Sequence, residues 1–149
     1  MNPATGARAT AVSIEEVHQT VTQDGLLGLA LHPELDFQRS GNATVAPGGL
    51  EMYTGTAIPG WDNSLLVLSL LRGAVFRVPL RADGRAVNGA PLAYFKSTNR
   101  YRDIALHPDG RRFYLVTDSE GRTTDDTGAL TRTVANPGAV IEYTFTSSR

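Results

Sequence analysis

Two arginines in the C-terminal third of the chain have the type and spacing expected of ligand-binding residues. Arg100 and Arg102 stand two positions apart, with Tyr101 between them, at the start of a strand-like stretch. Alternate residues of a strand point to the same face, so both guanidinium groups are expected on one face and Tyr101 on the other. Such a pair suits the carboxylates of an anionic ligand. The alternative is that both arginines are solvated strand residues paired with Asp103 or Glu120.

The three histidines do not form a comparable group. His32 and His107 each precede a proline at the end of a predicted strand, and we interpret both as structural residues. His18 is interpreted as a surface residue. The chain has no cysteine, which excludes disulfides, cysteine nucleophiles and thiolate metal sites.

An acidic segment after residue 117 has oxygen atoms of the kind that bind Ca²⁺. It consists of Asp118, Glu120, Asp125 and Asp126, interspersed with Gly121 and Gly128. A solvated hairpin loop is the interpretation we favour, and no metal ligand is assigned here.

Charge and hydrophobicity limit the range of partners. The chain has 14 basic and 15 acidic residues, a formal charge of −1, and 41% hydrophobic residues. No basic block stands out, so neither nucleic acid nor a membrane surface is an expected partner. The apolar run 65–71 is too short to span a bilayer. The N-terminus lacks the apolar stretch of a signal peptide, so no export signal is expected.

Short strand patterns separated by turn residues dominate the chain. Residues 65–80 predict a hairpin with a tight turn at 71–73. Further strands are predicted at 26–31, 92–96, 102–106, 112–118 and 140–145. Only residues 12–20 have a pattern that also fits a helix. The predicted class is all-β.

Several of these segments, in order, resemble the soluble quinoprotein glucose dehydrogenases of the glucose/sorbosone dehydrogenase family. The similar stretches are TVAP at 44–47, GWDNSLLV at 60–67, RGAVFR at 72–77, FKSTNRYRD at 95–103, PDG at 108–110, YLVTD at 114–118 and NPG at 136–138. A separate stretch, QDGLLGLALHP at 23–33, is similar to the first blade of that family's propeller. The likeness covers roughly residues 44–145.

The resemblance implies a fold and a chemistry. The fold would be part of a six-bladed β-propeller, with about three blades' worth of antiparallel strands at about 40–45 residues per blade. The reaction would be oxidation of an aldose at C1 to a lactone, with pyrroloquinoline quinone (PQQ) as hydride acceptor and an external electron acceptor. By analogy, Arg100, Arg102 and Thr44 would bind PQQ, and Gln23 would lie near the sugar.

The sequence departs from the family at positions that matter for catalysis. The family has a lysine near the quinone where this chain has Leu71, and Trp-Pro where it has Asn42-Ala43. In the family, the general base that takes a proton from the sugar is a histidine directly after an aspartate, and no such pair occurs in this sequence. No catalytic residue is therefore assigned, and the family's Ca²⁺ ligands have no counterpart.

The order of the similar segments predicts a domain organisation. We predict an N-terminal lead-in at 1–20, a first-blade-like segment at 21–37, a junction at 38–43 and C-terminal blades at 44–149. The family has most of its ring between the second and the fourth of these regions, so the chain is interpreted as a member with its middle removed. An incomplete ring would leave open sheet edges, which are expected to promote self-association.

Two functional hypotheses follow from the sequence. The first is a PQQ-dependent aldose dehydrogenase, which in this family acts in the periplasm or after secretion. The second is a catalytically inactive propeller remnant, or a module that binds a ligand or partner weakly. The missing base and Leu71 favour the second for this chain.

Overall fold

A computed structural model describes residues 45–146, which contain nine β-strands. The strands are β1 Pro47–Tyr53, β2 Ser64–Ser69, β3 Val75–Pro79, β4 Leu92–Tyr94, β5 Tyr101–Leu106, β6 Arg112–Thr117, β7 Thr123–Thr124, β8 Leu130–Thr131 and β9 Val140–Thr144. Within this part of the chain no helix is long and apolar enough to cross a membrane. The all-β class is confirmed for the described residues. The predicted strand at 26–31 and the pattern at 12–20 lie outside the described residues.

The strands form three antiparallel sheets. A four-stranded sheet has the order β1-β2-β3-β4, a three-stranded sheet has the order β5-β6-β9, and β7 pairs with β8. The predicted hairpin at 65–80 is confirmed as β2 and β3, with Leu68 opposite Val75. The predicted strands at 92–96, 102–106, 112–118 and 140–145 correspond to β4, β5, β6 and β9. This meander of short antiparallel strands agrees with part of a propeller, although the described sheets form no closed ring.

The two larger sheets pack face to face around an aromatic core. Its buried members are Tyr53, Ile58, Trp61, Leu66, Leu68, Val75, Tyr101, Ile104, Phe113 and Leu115. The Trp61 ring lies 4.6 Å from that of Tyr94 and 5.5 Å from that of Phe113, measured between centroids. This packing joins residues from both sheets, so it fixes the position of β5 and β6 relative to the first sheet.

β1 is not predicted from the sequence because the strand begins with a proline and two glycines, which are usually turn signals. In the fold these glycines allow a close approach of two backbones. A Cβ atom on Gly48 would lie 2.4 Å from the carbonyl oxygen of Tyr101. Glycine in this strand therefore lets β1 pack directly against the start of β5.

Candidate functional site

The start of β5 places Arg100 and Arg102 in different environments. The pairing of β5 with β6 is irregular between Tyr101 and Asp103, so the simple alternation of faces is interrupted here. The side chain of Arg100 is only 2% exposed, whereas that of Arg102 is 50% exposed. Tyr101 is buried in the core between the two sheets. Only one of the two guanidinium groups is therefore open to solvent.

Both guanidinium groups converge on one carboxylate, that of Asp118. Arg102 donates from Nε to Oδ1 and from a terminal nitrogen to Oδ2, both at 2.8 Å. Arg100 donates from Nε to Oδ2 at 3.1 Å. The predicted ion pairs with Asp103 or Glu120 are wrong, since within the described residues the carboxylate that binds both arginines is that of Asp118. Asp103 instead accepts a hydrogen bond from the amide of Ile104.

Asp118 could have been found from the sequence by pairing the two predicted strands. In the antiparallel register Tyr101 lies opposite Thr117, so the residue after Thr117 falls beside the arginines that flank Tyr101. By its position in the sequence, Asp118 instead groups with the acidic residues that follow it.

The charges in this cluster stabilise one another. Partial burial raises the pKa of Asp118, but hydrogen bonds and charges from Arg102 and Arg100 outweigh it, and the pKa lies below its ordinary value. The hydrogen bond to Asp118 raises the pKa of Arg102 above its ordinary value despite some desolvation. Asp118 is therefore ionised, and Arg102 is charged, at neutral pH.

Arg100 also ties together three parts of the chain. Besides Asp118, its guanidinium donates to the carbonyl of Leu70 at 3.4 Å and to the carbonyl of Arg122. Leu70 directly follows β2, and Arg122 immediately precedes β7. A buried charge with these partners acts as a structural cross-link, and Arg100 positions the segments around it.

Gly121 lies directly against the Arg100 side chain. Its φ is +126°, and a Cβ atom there would lie 2.5 Å from Nε and 2.7 Å from Cζ of Arg100. Because Arg100 is buried, its guanidinium cannot move aside without breaking the bonds that hold it. The approach of this backbone to the arginine therefore requires glycine.

Replacing Gly121 by alanine should lower the free energy of unfolding by about 2 kcal/mol or more, through positive-φ strain plus overlap with Arg100. Gly128→Ala is the matched control, since Gly128 also has a positive φ, +84°, and a Cβ added there would meet no atom within 4 Å. We expect that control to cost only about 1 kcal/mol, the usual cost of a left-handed backbone conformation for a residue with a Cβ atom. Urea unfolding of both variants measures the difference, and equal losses would contradict the close contact.

A cavity of about 580 Å³ opens beside this cluster. Its wall is formed by Arg100, Arg102, Asp118, Ser119, Glu120, Gly121 and Arg132. Such a volume is typical of small-molecule sites. The wall contains three arginines and two acidic residues, so it favours an anionic ligand.

The acidic segment forms a hairpin, β7 and β8, in agreement with the interpretation favoured above. Asp125 organises its turn by accepting hydrogen bonds from the amide of Thr127 at 2.9 Å and the amide of Ala129 at 3.0 Å. Asp118 is bound to the arginines instead. Among residues 45–146 no group of three or more histidine or acidic side chains is arranged to hold a metal ion.

Leu71 is buried and does not line the cavity. Its side chain packs with Ala46 and Leu70, and its carbonyl accepts hydrogen bonds from the amide of Thr124 at 2.8 Å and the hydroxyl of Thr124 at 3.1 Å. The amide of Leu71 donates to the carbonyl of Val45 at 3.3 Å. Leu71 therefore joins the end of the first sheet to the hairpin. Thr44 and Gln23, the other predicted site residues, lie outside the described residues.

His107 lies at the opposite end of the β5–β6 pair from the cavity. Leu106 is opposite Phe113, whereas Tyr101 is opposite Thr117, so the two ends are about 16 Å apart at about 3.3 Å per residue. The His107 Nδ1 lies 3.0 Å from a carboxylate oxygen of Asp109. This cluster stabilises the turn between the strands and is too far away to act in the cavity.

Comparisons with known proteins identify the family of this chain. The family described as Glucose / Sorbosone dehydrogenase matches residues 37–130. Quinoprotein glucose dehydrogenase B of Acinetobacter calcoaceticus is 43% identical to this chain over 104 residues. The matched part covers 68% of this chain and 22% of that protein, so the chain spans less than a quarter of its relative's length.

Proposed function

The chain belongs to the glucose/sorbosone dehydrogenase family, and from this premise we propose that it carries part of the PQQ-binding end of a quinoprotein sugar dehydrogenase. The reaction of the whole protein would be oxidation of an aldose at C1 to the lactone. The proposed partners are the sugar and an external electron acceptor, and the proposed location is the periplasm or the exterior of the cell.

The observation that carries this proposal is the half-exposed guanidinium of Arg102 at the cavity. Arginine has five N–H donors, of which Arg102 uses two on Asp118. The other three have no partner among residues 45–146. PQQ is a tricarboxylate, and a guanidinium held in place by a carboxylate on one side suits recognition of a further carboxylate on the other.

The described residues fit this ligand through different roles. Arg102 would bind a carboxylate directly. Asp118 would fix the orientation of Arg102, since its two oxygens accept from two guanidinium nitrogens of that residue. Arg100 would hold Asp118 in place from the buried side. Bound PQQ would supply an ortho-quinone that accepts two electrons and two protons from the sugar.

A second candidate function is ligand binding without sugar oxidation. It is supported by the absence of an Asp-His pair anywhere in the sequence and by the position of His107, at the far end of β5. Leu71 also stands where the family has a lysine, and its side chain is buried and does not line the described cavity. Under this alternative the chain retains the carboxylate-binding wall and lacks the base.

Replacing Arg102 by alanine should weaken PQQ binding about fivefold, which corresponds to about 1 kcal/mol for a partly exposed charge pair. Isothermal titration calorimetry of the full chain at low salt measures the change. Arg81→Ala is the matched control, because Arg81 is exposed and its side chain makes no contact within the described residues. Equal affinities of the two variants would refute a role for Arg102 in binding.

A further inference from the structure

The cavity contains a second exposed arginine that the family resemblance did not assign. Arg132 directly follows β8 and lines the same wall as Arg102. It is exposed, and within the described ranges it makes no hydrogen bond or ion pair. Its guanidinium therefore keeps all its donors free of partners among residues 45–146, so that they can reach a ligand.

The backbone that carries Arg132 is held in place. β8 pairs with β7 through Thr123 opposite Thr131. β7 is in turn fastened to the first sheet by the hydrogen bonds of Thr124 to the Leu71 carbonyl, at 2.8 and 3.1 Å. The amide of Thr133 donates to the Thr131 hydroxyl at 3.1 Å, which orders the chain on either side of Arg132. The position of Arg132 beside the cavity thus follows from the hairpin.

The acidic residues of the wall act differently from each other. Both oxygens of Asp118 accept hydrogen bonds from Arg100 and Arg102, so its charge is compensated. Glu120 is exposed and has no partner among residues 45–146. An anion in the cavity is therefore attracted by Arg102 and Arg132 and repelled by Glu120.

We propose that Arg132 is a further carboxylate-binding residue of this cavity, so that Arg102 and Arg132 together select a ligand with at least two separate carboxylates. Glu120 lowers the affinity for that ligand by repulsion. This inference rests on the proposed function, in which the ligand is PQQ, and it assigns to the site two residues, Arg132 and Glu120, outside the set that the resemblance implied.

The test is calorimetric titration of PQQ into the full chain at low salt. Arg132→Ala should weaken binding about three- to fivefold, and Glu120→Gln should strengthen it about two- to threefold. The opposite signs are expected only if both charges act on the bound anion. At 1 M NaCl both changes should largely disappear, because exposed charges are then screened.

Two exposed residues away from the cavity provide controls of matched charge. Arg81→Ala and Asp62→Asn should leave the affinity unchanged, since neither side chain makes a contact within the described residues or lines the cavity. Competition adds a direct test of the two-carboxylate requirement. Succinate should displace PQQ at lower concentrations than acetate, and Arg132→Ala should narrow that difference.

The outcomes separate this inference from the function on which it rests. If Arg102→Ala weakens binding while Arg132→Ala and Glu120→Gln bind like the parent chain, the role of Arg132 is overturned and the proposed function stands. If the parent chain does not bind PQQ, or Arg102→Ala has no effect, both are overturned. Opposite shifts for Arg132→Ala and Glu120→Gln support both.

Discussion

Replacing Asp118 by alanine is expected to lower the free energy of unfolding by about 3 kcal/mol, the largest stability change we predict. The reason is that Arg100 is 2% exposed and would lose its carboxylate partner while remaining buried. Removing one member of a buried ion pair typically costs about 3–5 kcal/mol, and the lower end applies because Asp118 is still 17% exposed. Urea unfolding followed by circular dichroism measures the loss.

Asp62→Asn is the control, since Asp62 is exposed and its side chain has no partner within the described part of the chain. That variant should change stability by less than about 0.5 kcal/mol. A loss of the same size in both variants, or no loss in Asp118→Ala, would show that Arg100 does not depend on Asp118.

The ion pairs of Asp118 with Arg100 and Arg102 also make the stability of the fold depend on pH. Burial raises the pKa of Asp118, yet Arg102 and Arg100 lower it more, so the folded-state pKa lies below the ordinary value of 3.8. The unfolded chain therefore binds more protons near pH 4, and the stability from Asp118 is present above that pH and lost as the pH falls further. The free energy of unfolding of Asp118→Asn should therefore decrease less steeply below pH 4 than that of the parent chain.

The second large effect concerns catalysis. Purified chain supplied with PQQ and Ca²⁺ should oxidise glucose at least about 100-fold more slowly than quinoprotein glucose dehydrogenase B of Acinetobacter calcoaceticus. A positioned general base contributes about 10²–10⁴-fold to rate. None of the three histidines follows an aspartate, and His107 lies at the end of β5 away from the cavity.

A dye-linked assay with both proteins at equal concentration measures this difference. His107→Ala serves as an internal control and should leave any residual rate unchanged. A rate near that of the relative would overturn the prediction and indicate a base outside residues 45–146. PQQ binding without turnover would favour the second candidate function, a binding module.

Much of the fold could be predicted from local patterns. The hairpin at 65–80 and the strands that became β4, β5, β6 and β9 have apolar or alternating residues bounded by turn dipeptides, and both features act over a few residues. β1 could not be found in this way. Glycines at the start of a segment usually indicate a turn, but those of β1 allow a close approach to the backbone of Tyr101. Which of the two applies depends on how the two sheets pack.

The sequence by itself determined that residues 45–146 are all-β, that Arg100 and Arg102 stand two residues apart at the start of a strand, and that no histidine follows an aspartate. Only the tertiary structure decided that Asp118 joins the two arginines, that Arg100 is buried while Arg102 faces the cavity, and that Arg132 lies on the same wall. Spacing along a strand sets the direction of a side chain. The burial and the partners of that side chain depend on residues that are distant in the sequence. These residues come close only when β5 pairs with β6 and the β7–β8 hairpin packs against the sheets.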